Sequence, residues 1–277
     1  TPNSQLPTPN SQLPTPNSRL LTFDSRLLNF SLTFIDMNKV INLISGPRNL
    51  STAIMYSFAQ RDDFEVLDEP FYAFYLKNSN VIIKHPAHDA ILNTMEQQEE
   101  KIVAQINSLA TGKNVFVKGM AHHYLSKDPK YITQWENVIL IRHPKKLIAS
   151  FSKVIENPTI DDIGVKKASE LFLFLKENNR TPIVIDSDEL LKAPSSYLKK
   201  LCGLLDLSYS EEMLSWNKGG IPQDGVWAPH WYKNVHNSEG FVLQKSSSEP
   251  LPERLSPLLQ EALPYYETLR EHILKND

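Results

Sequence analysis

Val40-Ile41-Asn42-Leu43-Ile44-Ser45-Gly46-Pro47-Arg48-Asn49-Leu50-Ser51-Thr52 reads as a buried strand, a tight turn and the start of a helix. The run Val40–Ile44 has the composition of a strand covered on both faces. Ala53-Ile54-Met55-Tyr56-Ser57-Phe58-Ala59 has the composition of a helix. A turn between the two is an anion site, because the first backbone N–H groups of a helix lack partners within it and the helix dipole adds positive potential there. Arg48 contributes a full charge on a planar donor fork. Ser51 and Thr52 put hydroxyls where a helix cap belongs. An ordinary strand–turn–helix with a capping serine and a surface arginine has the same composition, so the stretch needs support from elsewhere in the chain.

Outward from this turn, short apolar runs alternate with helical stretches. The strand-like runs are Val40–Ile44, Phe64–Leu67, Val81–Ile83, Val115–Val117, Val138–Ile141 and Ile183–Ile185, rich in Val, Ile and Phe. Helices are expected over about 51–60, 87–111, 144–156, 166–178 and 194–205, the third with Leu147, Phe151, Val154 and Ile155 along one face. The alternation predicts an α/β fold of three layers, a mostly parallel sheet with helices on both faces. Such sheets bind ligands at the carboxyl ends of their strands.

The bulk properties narrow the function. A net charge of −3 over 277 residues argues against a nucleic-acid coat or a polybasic membrane binder. The single cysteine, Cys202, excludes an intramolecular disulfide framework and suits a reducing, cytoplasmic compartment. No run approaches the roughly 18 apolar residues of a membrane span. Residues 1–36 differ from the rest: Thr1-Pro2-Asn3-Ser4-Gln5-Leu6-Pro7 recurs over 8–14 and decays over 15–28. Prolines in the repeat forbid a coiled coil. We read 1–36 as a disordered low-complexity leader, expect Met37 to be the natural start, and assign 37–277 to one domain.

A second candidate anion site lies at another strand end. Val138–Ile141 runs into Arg142-His143-Pro144, with Pro144 suited to the first turn of a helix, and Ser150 follows eight residues after Arg142. A strand-end arginine and a helix serine can hold one phosphate between them.

Together these stretches resemble the sulfotransferases that use 3′-phosphoadenosine 5′-phosphosulfate (PAPS). Pro47-Arg48-Asn49-Leu50-Ser51-Thr52 is similar to their 5′-phosphosulfate loop, which reads Pro, Lys or Arg, Ser, Gly, Thr, Thr. Arg142, Pro144 and Ser150 are similar to their 3′-phosphate motif in type and spacing. Leu201–Leu207 with Trp216 resembles a late helix and the stretch after it, so the likeness spans about 42–240. Leu50 replaces the loop glycine, and Trp231-Tyr232-Lys233-Asn234 resembles a remnant of the motif over the nucleotide. These departures point to a divergent, bacterial branch.

The resemblance implies a fold like that of the P-loop nucleoside triphosphate hydrolases and transfer of a sulfo group from PAPS to a hydroxyl or amine of a small-molecule acceptor, releasing adenosine 3′,5′-bisphosphate. It implies that Pro47, Arg48, Asn49, Leu50, Ser51, Thr52, Arg142, Ser150 and Lys233 hold the nucleotide, that Arg48 stabilises the leaving phosphate, and that no metal is required. Candidates for the base that deprotonates the acceptor are Glu69, just past the strand Phe64–Leu67, and the pair His122 and His123, past Val115–Val117 and Lys118. His85-Pro86-Ala87-His88-Asp89 is a weak metal-like cluster lacking a clear third ligand. Phe71, Tyr72, Phe74 and Tyr75 read as core or as an acceptor wall, and Trp227, His230, Trp231 and Tyr232 as a lid. The alternatives are a nucleotide-dependent phosphotransferase, disfavoured because no Gly-Lys-Ser/Thr is present, and a non-catalytic nucleotide-binding relative.

Overall fold

A computed structural model describes residues 38–79, 85–243 and 251–276. The leader 1–36 and the strand expected over Val81–Ile83 lie outside the described residues. The larger compact unit begins at Asn38.

Five strands form one sheet: β1 (Val40–Ser45), β2 (Phe64–Asp68), β3 (Asn114–Met120), β4 (Glu136–Ile141) and β5 (Ile183–Asp186), in spatial order β2-β3-β1-β4-β5. Every pairing is parallel. Each described strand coincides with one of the apolar runs. In chain order the helices are α1 (Ser51–Ala59), α2 (Tyr72–Asn78), α3 (His88–Thr94), α4 (Glu99–Leu109), α5 (Pro144–Phe151), α6 (Ile160–Ile163) and α7 (Val165–Glu177). They continue with α8 (Ser187–Lys192), α9 (Pro194–Leu204), α10 (Ala228–Trp231), α11 (Lys233–His236) and α12 (Ser256–Arg270).

Alternation along the strands builds two cores. Val40, Ile44, Val115, Val117 and Ile139 face α4, α5, α7 and α12, whereas Ile41, Leu43, Phe116, Val138 and Leu140 face α1, α2 and α9. This is the three-layer α/β architecture expected, and it sets the tips of β1, β3 and β4 side by side.

Two helical expectations are corrected. The stretch 87–111 is two helices, α3 and α4, with extended backbone at Met95 and Gln98. The Glu96 carboxylate accepts the N–H groups of Gln97 (2.8 Å) and Gln98 (3.0 Å), and this local alternative to the helix ladder starts α4 afresh. The stretch 144–156 stops at Phe151; Val154 and Ile155 turn back on the Phe151 carbonyl and line a cavity.

The β1–α1 turn is packed against a second turn. A Cβ on Gly46 would lie 2.5 Å from the backbone oxygen of Ile163, so the close approach of the two segments requires glycine. Gly46→Ala is expected to destabilise the fold by about 1–3 kcal/mol, the cost of overpacking against backbone. Urea denaturation measures it, and a change below a few tenths of that would mean the Ile163 segment yields freely.

Candidate functional site

The turn after β1 is held open by its own backbone. Arg48 adopts a left-handed conformation (φ 55°), uncommon for a residue with a side chain and typical of functional turns. Asn49 fixes the next step: its Nδ2 donates to the Leu140 carbonyl of β4 (3.0 Å) and its Oδ1 accepts the Leu50 N–H (2.8 Å). Ser45 Oγ donates to the Gly119 carbonyl of β3 (3.2 Å), tying the turn to both neighbours of β1. Leu50, not a serine, caps α1, with φ −86° and no side-chain cap bond. Its backbone is in a region open to any residue, so conformation does not demand glycine there. Ser51 and Thr52 fall in the first turn of α1 instead of at its cap, so capping does not consume their hydroxyls.

Arg48 and Arg142 come together. Arg142 Nη1 donates to the Arg48 carbonyl (2.8 Å), and Arg48 Nε donates to Ser150 Oγ (3.2 Å). All three line one cavity of about 800 Å³ with Asn49, Leu50 and Thr52. Burial lowers the pKa of both guanidinium groups, and Arg142 lowers that of Arg48 further. Among the described residues neither arginine has an ion-pair partner. Asp186 and Asp188 lie near enough to offset part of the effect of burial on Arg142, and Asp188 lines the same cavity. Two half-buried guanidinium groups in one groove with no direct ion pair still make a site that favours a multiply charged anion.

A second cavity of about 360 Å³ adjoins the first, sharing Arg48, Asn49, Thr52, Trp231 and Tyr232. Pro47, Ser51, Glu69, His122 and His123 line this smaller one. Lys233 is exposed and lines neither cavity; α11 turns its neighbour Asn234 toward the larger one. The four residues expected to be catalytic, Arg48, Glu69, His122 and His123, all line the smaller cavity.

Beneath it lies a buried ionic cluster that the sequence reading did not assemble. Lys118, fully buried on β3, donates to Asp68 Oδ1 (3.0 Å), Glu69 Oε1 (2.5 Å) and Tyr232 Oη (2.6 Å). Tyr232 Oη also accepts from Trp227 Nε1 (2.9 Å) and donates to Asp68, whose Oδ2 takes the Gly225 N–H (3.0 Å). Burial works against the Lys118 charge, but Asp68 and Glu69 outweigh it and leave the ammonium firmly protonated. Glu69 is not the surface ion-pair residue its composition allows. It is buried, with left-handed backbone (φ 48°), and burial raises its pKa despite Lys118.

The histidines differ from expectation. Burial pushes His122 down to about 4 and His123 well below the usual imidazole value, so both are neutral at pH 7 and do not titrate near it. His123 Nδ1 lies 4.0 Å from Glu69 Oε2. Among the described residues, no group of three or more His, Cys, Asp or Glu is arranged to hold a metal ion, and no helix is long and apolar enough to cross a membrane.

A family model described as a sulfotransferase domain matches residues 38–273. Branched-chain-amino-acid aminotransferase-like proteins 1 and 2 of Arabidopsis thaliana are 39% identical over 237 residues and 38% identical over 238. Each alignment covers 85% of this chain and 42% of the relative, so the chain spans about two fifths of the length of the curated relatives it matches. Among solved structures, a sulfotransferase from Alicyclobacillus acidocaldarius is similar at 11% identity and TM-score 0.49, covering 84% of this chain and 95% of that one. The sulfotransferase domain from the curacin biosynthetic pathway is similar at 18% identity and TM-score 0.47, covering 81% and 97%.

Proposed function

The chain belongs to the sulfotransferase domain family, and on that premise we propose that it moves a sulfo group from PAPS to a hydroxyl or amine of a small-molecule acceptor. The observation that carries the reading is the Arg48–Arg142 pair, two guanidinium groups that form no direct ion pair among the described residues, at neighbouring strand tips in one cavity. A nucleotide with phosphates at both its 3′ and 5′ positions offers each guanidinium an anionic partner. Arg142 and Ser150 suit the 3′ end, and Arg48 with the first-turn N–H groups and hydroxyls of α1 suits the 5′ end.

In such a transfer the acceptor oxygen or nitrogen attacks sulfur, the bond from sulfur to the 5′-phosphate oxygen breaks, and the acceptor's proton passes to a base. Arg48 lines both cavities, so its guanidinium meets the charge that builds on the leaving oxygen. Glu69 is the base in this reading. Lys118 fixes one of its oxygens while the other stays unbonded, and its raised pKa suits proton uptake. His122 and His123, neutral and weakly basic, orient the acceptor. A cytoplasmic location accompanies the reading, with Cys202 a buried free thiol.

Thermal denaturation with adenosine 3′,5′-bisphosphate, AMP and ATP with magnesium tests the proposal. At a hundred times its Kd a ligand adds about 2.7 kcal/mol of stability, worth about 5–10 °C in a domain of this size. The bisphosphate is expected to give the largest shift. A larger shift with ATP and magnesium would favour a phosphotransferase, and equal shifts with AMP and the bisphosphate would remove the 3′-phosphate role of Arg142.

A further inference from the structure

The smaller cavity carries more recognition chemistry than a sulfo group needs. Its wall is a set of rings packed on one another. Tyr72 and Tyr75 each stack on His123, with centroids 4.7 Å apart and planes at 24° and 28°. His122 meets Tyr75 edge-on at 5.0 Å and 65°, and Trp227 meets Tyr72 at 4.9 Å and 71°. Tyr72 Oη is bonded to His85 Nδ1 at 2.7 Å. These rings line the cavity, and the aromatic surface of Tyr and Trp attracts organic cations.

This box has two ends. Tyr72 and His123 sit against Glu69 and Lys118, while Tyr75, His85 and His122 all feel the negative charge of Asp162. Asp162 lines the cavity from α6. Its Oδ2 accepts the Thr159 N–H and hydroxyl, each at 2.7 Å, and caps the helix. Its Oδ1 makes no hydrogen bond among the described residues. Glu69 is tied to Lys118, so Asp162 is the carboxylate left to answer a cation. A volume of about 360 Å³ is near the low end for ligand pockets, which limits the occupant to a compact molecule.

We infer that the acceptor is a compact organic ammonium compound, its cationic nitrogen seated at Asp162 among Tyr75, His85 and His122 and its nucleophilic group at the Glu69–Arg48 end. The word acceptor rests on the transfer reading above; the cation site itself does not.

Isothermal titration tests this with three probes of one shape, 2-phenylethylamine, 2-phenylethanol and phenylacetate, at pH 7 on protein first titrated with adenosine 3′,5′-bisphosphate. The amine is expected to bind at least tenfold tighter than phenylacetate and several-fold tighter than the alcohol. Asp162→Asn keeps a side-chain oxygen for the α6 cap and removes the charge, and should bring the amine within about twofold of the alcohol. Asp161→Asn, an exposed neighbour outside the cavity, should leave the preference in place. Failure of the amine to bind, an alcohol or carboxylate that binds as tightly, or an amine preference that survives Asp162→Asn would overturn the inference. The nucleotide titration is read separately. Amine preference without bisphosphate binding removes the donor reading and keeps the cation site; bisphosphate binding without amine preference does the reverse.

Discussion

Arg48→Ala is expected to lower kcat by a factor of about 10²–10³, the loss that follows removal of one preorganised donor from a developing negative charge. The geometry makes a contrasting expectation for Arg142. Its guanidinium faces the larger cavity only, so its loss weakens donor binding. It also holds the Arg48 carbonyl, and with it the left-handed turn, so kcat falls too, though less than in Arg48→Ala. Arg142→Lys separates the two roles. A lysine keeps the charge but lacks the fork that reaches carbonyl and phosphate together, so donor KM should recover further than kcat. Steady-state kinetics with PAPS as the varied substrate measure both constants. Unchanged kcat in Arg48→Ala would contradict the assigned role, whatever happens to KM.

The second large effect is on stability. Lys118→Met is expected to cost about 3–5 kcal/mol, since it strips the counter-charge from two buried carboxyl groups. The partners do not contribute independently. Lys118→Met combined with Asp68→Asn should cost less than the sum of the two single changes, because a removed carboxylate no longer needs the ammonium. The deficit also has a pH sign. Glu69 already has a raised folded-state pKa because of burial, and without Lys118 the attraction that lowers it is gone. The penalty is therefore absent below the unfolded carboxylate range and grows as pH rises through the raised value. Urea denaturation at pH 5 and pH 8 should show the larger loss at pH 8. A loss under 1 kcal/mol, or one that is larger at pH 5, would mean that the cluster opens to water.

Much of this was legible in the sequence because it is local. Buried parallel strands are short apolar runs, and five of the runs are the five strands of the sheet. Arg142 follows such a run directly and Arg48 lies in the short turn after another, and β1 pairs with β4, so their convergence follows from topology. The ionic cluster was not legible, since Asp68, Lys118 and Tyr232 are brought together only by the fold, and Lys118 looks like any lysine after a strand. That Lys233 lines neither cavity while Asn234 lines the larger one could not be read, because a four-residue helix leaves no periodicity by which to read its face. The break between α3 and α4 hides in Glu96, whose carboxylate takes two backbone N–H groups. The histidines' suppressed basicity is a matter of burial, to which residue type is blind.

The two adjoining cavities share five lining residues and take the rest of their walls from different parts of the chain. The larger takes its arginines from the tips of central strands, where a change disturbs the sheet. The smaller draws Tyr72, His85, His122, Phe151 and Asp162 from five peripheral segments. On the proposed reading, substrate choice would drift one side chain at a time while the nucleotide grip stayed as inherited, a separation by which one scaffold could serve different clients.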